Sequence, residues 1–243
     1  MKFKKIVGFG DSWVFGDELL DPEYAKTNNL AHAGDTQNIP YREHHCYLGR
    51  LGQHYGVPVE NYGIPGGSLD STVWTFLKWL NQEINPHDAL ILIGLTEADR
   101  FSHWNPDGHN EQRKMVHSTW AEFGATEVPK EFFPMIKQQI VLTTCDELSA
   151  LNYQRTVSMF DGIASRRQLN IFQHHIASPP CLITEVPSLL QPDFSLTKWF
   201  VQELQADHGR KYIKENGHPD ELGHDLIKDL LIPWIDSCTM YEC

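Results

Sequence analysis

Apolar positions along the chain fall into two rhythms, and they alternate. Short, nearly continuous apolar runs end in Gly, Asp, Ser or Pro, the pattern of strands buried on both faces. Phe3-Lys4-Lys5-Ile6-Val7-Gly8-Phe9 is the first, with Ile6 to Phe9 as its core, closed by Gly10-Asp11-Ser12-Trp13. Val57 to Tyr62 is the second, followed by the turn Gly63-Ile64-Pro65-Gly66-Gly67. Asp88 to Gly94 (Asp-Ala-Leu-Ile-Leu-Ile-Gly) is the clearest, and Asn170 to Ile176 is the fourth, ended by Ser178-Pro179-Pro180.

Between these runs the period lengthens to that of a helix. Glu43 to Tyr55 reads as one helix with Gly56 just past its end. Ser68 caps a helix over about Leu69–Ile84, with Val73, Phe76, Leu77 and Leu80 as its apolar stripe. Met135 to about Arg167 reads as one long helix or two joined ones, and Thr197 to Gln205 as a short one. The last opens at Pro219 and runs to about Ser237, burying Leu222, Leu226, Ile227, Leu230, Leu231 and Trp234. Asp17–Pro40 is polar and aperiodic, a long loop over the site, and Phe101–Pro134 is an irregular excursion long enough to act as a lid or to bind substrate. Strands alternating with helices predict an α/β fold, a three-layer α/β/α sandwich around a mostly parallel sheet. A single domain over residues 1–243 is expected, with insertions at about 17–40 and 101–134.

Composition narrows the class. Hydrophobic residues make up 41% of the chain, enough for a large core. The net charge of −12 argues against nucleic acid and anionic lipid as partners. No run approaches the roughly 18 to 20 apolar residues of a membrane span, and the N-terminal residues lack a signal-peptide pattern. The five cysteines are scattered without a CxxC pair, so a reducing, cytoplasmic setting is expected. His44-His45 and His174-His175 are adjacent pairs whose members point to different faces, so neither alone chelates a metal, and no metal or cofactor is expected.

The chemistry gathers at the strand ends. Ser12 follows the first strand, Gly63, Gly66 and Gly67 follow the second, and Gly94-Leu95-Thr96-Glu97 follows the third. In a parallel sheet these ends share one edge, where open α/β folds place their ligands. Far downstream, Glu215-Asn216-Gly217-His218-Pro219 supplies a carboxylate and an imidazole. Hydroxyl, imidazole and carboxylate together activate a serine for acyl transfer, and the amides of Ser12 and Gly66 are candidate oxyanion donors.

These blocks resemble those of the SGNH (GDSL-type) hydrolases. Gly10-Asp11-Ser12 matches the first block, Asn61-Tyr62-Gly63-Ile64-Pro65-Gly66 the second, and Glu215 through Pro219 with Gly223-His224 the last, in the family's order over residues 8 to 224. The resemblance implies a flavodoxin-like sandwich with Ser12 as nucleophile, His218 as base, Glu215 as triad acid, and Ser12, Gly66 and Thr96 as the oxyanion hole. Two positions depart from the pattern. Thr96 stands where the family carries an oxyanion Asn, and Glu215 stands where it usually has Asp, so either Glu215 or a backbone carbonyl orients His218. His224 is read as structural, Asp11 as holding its loop through backbone N–H groups, and Glu97, Asp99 and Arg100 as an ion-pair network or a solvated cluster at the mouth. The expected activity is hydrolysis of a small-molecule or carbohydrate ester through an acyl-enzyme. The alternatives are a non-catalytic binding protein on the same fold and a flavin or nucleotide binder. The last is disfavoured, because Gly10-Asp11-Ser12 offers no phosphate cradle.

Overall fold

The structure, a computed structural model, describes residues 3–98, 100–104, 115–118, 146–180, 186–190, 194–200, 212–214 and 217–238. Four strands form a parallel sheet in the order β2-β1-β3-β6: β1 (Lys5–Gly10), β2 (Val59–Gly63), β3 (Ala89–Leu95) and β6 (Asn170–His175). The registers Val7↔Glu60, Val7↔Ile91 and Ile91↔Ile171 align one row of residues across all four strands.

Alternation along the strands builds two cores. Ile6, Leu90, Leu92 and Phe172 face one side, where they meet Leu48 and Leu51 of α4 (Tyr47–Tyr55) and Ile227, Leu231 and Ile235 of the last helix, α8 (Glu221–Cys238). Val7, Phe9, Ile91, Ile93 and Ile171 face the other, against Phe76, Trp79 and Leu80 of α5 (Leu69–Gln82) and Tyr153, Val157 and Phe160 of α6 (Asp146–Arg167). Each fully buried large side chain contributes about 1.5–3 kcal/mol. The sandwich therefore rests on the period-2 alternation of the strands, with β3 apolar along its whole length. Among the described residues no helix is long and apolar enough to cross a membrane.

The chain leaves β1 toward β2 on one side, then places β3 on the other side of β1. The direction of winding reverses between β1 and β3, and the carboxyl ends of those strands open a crevice there. α1 (Ser12–Phe15) starts on one lip of it, and Thr96 stands on the other.

Several local expectations are corrected. Residues 17–40 are not wholly loop: α2 (Pro22–Thr27) has Asp21 capping the amides of Glu23 and Tyr24 with Pro22 in its first turn, and α3 (Ile39–His45) begins before Pro40. The helix expected over Glu43–Tyr55 is broken at Cys46, whose extended backbone (ψ 157°) separates α3 from α4. Ser68 does cap α5, through a reciprocal pair with Ser71, but the helix ends at Gln82 and Trp79 is buried where Leu77 is not. Phe101–Trp104 and Met115–Ser118 form an antiparallel pair, β4 and β5, inside the stretch expected to be irregular. α7 spans Leu196–Lys198, starting before Thr197. The last helix opens at Glu221 rather than Pro219, because Pro219 bridges back to Ile213 and the Asp220 carboxylate accepts from the Gly223 amide at 2.8 Å. Leu222, expected inside, is 55% exposed. The remainder of the 101–134 excursion, the helical reading over 135–145 and the end of the one over 197–205 lie outside the described residues.

Candidate active site

β1 ends in an abrupt strand-to-helix turn. The Asp11 carboxylate caps α1 by accepting from the Trp13 amide at 3.0 Å, which fixes Ser12 as the first helical residue. Asn61 braces the turn from β2: its side-chain nitrogen donates to the Val14 carbonyl at 2.9 Å, and its oxygen accepts from the Gly63 amide at 2.9 Å. Gly63 has to be glycine, since a Cβ there would sit 2.3 Å from the Phe15 nitrogen. Asn61 and Gly63 thus hold the Ser12 helix without lining the cavity.

His218 arrives from the far end of the chain on a tight hairpin. The Ile213–Pro219 bridge, the Lys214 amide donating to the His218 carbonyl at 2.8 Å and the Gly217 amide donating to the Lys214 carbonyl at 2.9 Å close it. The Lys214 ammonium also donates to the Glu18 carbonyl, tying the hairpin to the segment after α1. The result is a distance of 2.9 Å between His218 Nε2 and Ser12 Oγ, residues 206 positions apart. That is hydrogen-bond range for a base removing a hydroxyl proton.

A cavity of about 290 Å³ opens over this pair. Gly66 lines it with φ of 69°, a left-handed conformation that glycine adopts without cost. Among the described residues, neither the Ser12 nor the Gly66 amide has an acceptor, so both are available to an anion.

The chain is similar to solved structures of esterases and GDSL-family lipolytic proteins. One is the alpha/beta hydrolase LAE5 from the metagenome of Lake Arreo, Spain, at 11% identity over 97% of this chain and 96% of that one (TM-score 0.46). The acetylxylan esterase Axe2 of Geobacillus stearothermophilus matches at 12% identity over 97% and 96% (TM-score 0.44). A member of the lipolytic G-D-S-L family from Veillonella parvula matches at 12% over 94% and 96% (TM-score 0.36). No protein-family model and no curated protein matches.

Thr96 lines the cavity but its hydroxyl donates to Asp11 Oδ2 at 2.7 Å. A hydroxyl has one hydrogen, so in this geometry Thr96 serves the buried carboxylate and not an oxyanion. Arg100 approaches the same oxygen at 3.4 Å and pairs with Glu97 at 2.8 Å, the ion-pair alternative of the two read for the mouth; Asp99 lies outside the described residues. Burial raises the Asp11 pKa, and Arg100, Thr96 and the Trp13 amide pull it back, which is why a carboxylate only 1% exposed is tolerated there.

Glu215, the expected triad acid, lies outside the described residues. His224 is fully buried and accepts from the Tyr47 amide through Nδ1 at 3.2 Å, a structural role. His174 and His175 point to opposite faces of β6, one to the Tyr47 hydroxyl at 3.2 Å and the other to the Tyr153 hydroxyl at 2.6 Å. The sequence reading missed Asp17, whose Oδ2 lies 4.0 Å from His218 Nε2 and which lines the cavity. The available signal was its position just after Gly16, five residues beyond Ser12.

Proposed function

We propose that the protein is a serine esterase of the SGNH kind, acting on a small-acyl ester through an acyl-enzyme on Ser12. The observation that carries this reading is the 2.9 Å approach of His218 Nε2 to Ser12 Oγ at the β1/β3 crevice. His218 takes the Ser12 proton as Oγ attacks the carbonyl carbon, and the amides of Ser12 and Gly66 receive the oxyanion. Collapse breaks the bond to the leaving alcohol, which takes the Nε2 proton, and water then repeats the sequence on the acyl-enzyme. Glu215 is assigned to orient His218. A cavity of about 290 Å³ lies at the small end of ligand pockets and suits an acetyl-sized acyl group with a modest alcohol, such as an acetylated sugar.

The test is p-nitrophenyl acetate hydrolysis by the wild type, Ser12→Ala and His218→Ala between pH 6 and 9. Turnover lost in both variants supports the proposal; wild-type turnover that survives Ser12→Ala sinks it. The rival, a binding protein on the same fold, draws on the commitment of the Thr96 hydroxyl to Asp11, which leaves two backbone donors. It predicts sugar-ester binding without turnover.

A further inference from the structure

Asp17 is the one described carboxylate of the cavity set beside the base. Its amide donates to the Ser12 carbonyl at 2.9 Å, so its backbone is anchored to the nucleophile itself. On either side the chain is left-handed, at Gly16 (φ 80°) and at Glu18 (φ 68°). A left-handed glutamate costs conformational energy, and such strain persists where surrounding contacts over-determine it. Here the Lys214 ammonium from the His218 hairpin holds the Glu18 carbonyl. Two elements of the site therefore fix the backbone at Asp17, and its side chain keeps only 17% exposure.

The geometry decides which part of a substrate it meets. An alcohol leaving from the tetrahedral intermediate must bring its oxygen within about 3 Å of His218 Nε2 to collect the proton. Asp17 Oδ2 lies 4.0 Å from that same nitrogen, so the substituents of the leaving alcohol pass the carboxylate while the acyl group faces the Ser12 and Gly66 amides. The charges lining the cavity do not neutralise it. Of the described groups lining it, Asp11, Asp17 and Glu97 face one guanidinium, Arg100, which already pairs with Asp11 and Glu97; Arg42 acts on Asp17 from beneath the lining and is itself paired with Glu43.

Resting on the esterase reading, we infer that Asp17 determines leaving-group specificity: it accepts hydrogen bonds from, or pairs with, a hydroxyl-rich or cationic alcohol and excludes anionic ones. Burial raises the Asp17 pKa while His218 and His32 draw it down, in keeping with a carboxylate held where a hydroxyl or cation would relieve its desolvation.

Three acetate esters with one acyl group test this: phenyl acetate, 3-carboxyphenyl acetate and 3-(trimethylammonio)phenyl acetate, each corrected for its hydroxide-catalysed rate. The readout is the ratio of kcat/KM for the cationic over the anionic ester. The wild type is expected to favour the cationic ester by at least about tenfold, and Asp17→Asn to shrink that preference by about tenfold, as for one charge removed at close range. Asp17→Ser, with its melting curve, repeats the measurement in case the Asn variant folds poorly. A wild type without charge preference, or a preference that both substitutions leave unchanged, overturns the assignment. If turnover depends on Ser12 while the ratio ignores Asp17, only the leaving-group role falls. If the wild type hydrolyses none of the three, the esterase reading falls and this inference with it.

Discussion

Two histidines six residues apart show how the same side chain is put to opposite uses. His218 sits on the hairpin before α8, its side chain 21% exposed and its Nε2 2.9 Å from Ser12 Oγ. His224, in the first turns of α8, is fully buried, accepts from the Tyr47 amide, and burial pushes its pKa down to about 3. His218 keeps a face open to the cavity, with Nε2 beside the Ser12 hydroxyl. His224 is locked neutral and works as a hydrogen-bond acceptor inside the fold. His174 and His175, with pKa values lowered by burial to about 3 and about 4, belong with His224. What separates the two uses is exposure to the cavity, not residue type: His174 and His175 also meet hydroxyls, but buried ones.

The sharpest way to break this contrast is substitution at the first histidine. His218→Ala is expected to lower kcat by about 10⁴-fold or more, as for the base of a serine triad, while the melting temperature barely moves. An unchanged kcat would dissolve the distinction.

Acid is the next lever. The three buried histidines have folded pKa values of about 3, 4 and 3, below the unfolded value near 6.5. The unfolded chain therefore binds more protons below pH 6.5, and stability present above that pH is lost as it falls toward 4. Each histidine contributes about 1.4 kcal/mol per pH unit over this window. Asp11, Asp17 and Asp70, with pKa values raised by burial, act with the opposite sign and blunt the slope. Chemical denaturation at pH 7.5, 6 and 5 should show a loss of about 6 kcal/mol at most by pH 5. Stability that stays flat would mean these rings are not locked neutral.

His224→Ala should leave kcat of the folded protein within a few-fold but cost about 2–4 kcal/mol, from a cavity and an unpaired Tyr47 amide. Denaturant midpoints and activity measured on the same sample separate the two effects.

The smallest expected change tests the Asp11–Thr96 contact. Thr96→Val should cost about 1–3 kcal/mol of stability by leaving a buried carboxylate oxygen with only the long Arg100 contact, and Thr96→Ser should restore it. Were Thr96 an oxyanion donor instead, the valine variant would lose about 10²- to 10³-fold in rate with its melting point unmoved.

How far the sequence discloses this molecule depends on whether the cause is local. β3 is legible because Ala89 to Leu95 is apolar throughout and a strand buried on both faces needs nothing else. The cap at Ser68 is likewise local. The break at Cys46 is not, since no glycine or proline marks it and the extended residue lets α3 and α4 turn independently. α2 was legible in Asp21-Pro22-Glu23, a cap followed by proline, yet its six residues bury nothing and leave no apolar stripe to notice. Leu222 fits a helical stripe by spacing, but the hairpin packed beside the first turn of α8 decides where that turn faces.

At the site, Ser12, Gly66 and His218 could be named because each closes a recognisable block at a strand or helix end. The direction of the Thr96 hydroxyl could not, because it depends on a carboxylate 85 positions away. Asp17 was hidden for the same reason: its partner, His218, is 201 positions downstream.

The central claim, that Ser12 is a nucleophile served by His218, is met most directly by intact-mass spectrometry after treatment with a fluorophosphonate. A single adduct is expected that maps to Ser12, disappears in Ser12→Ala and forms far more slowly in His218→Ala. A wild type that takes up no adduct, or an adduct that persists in Ser12→Ala, would contradict it.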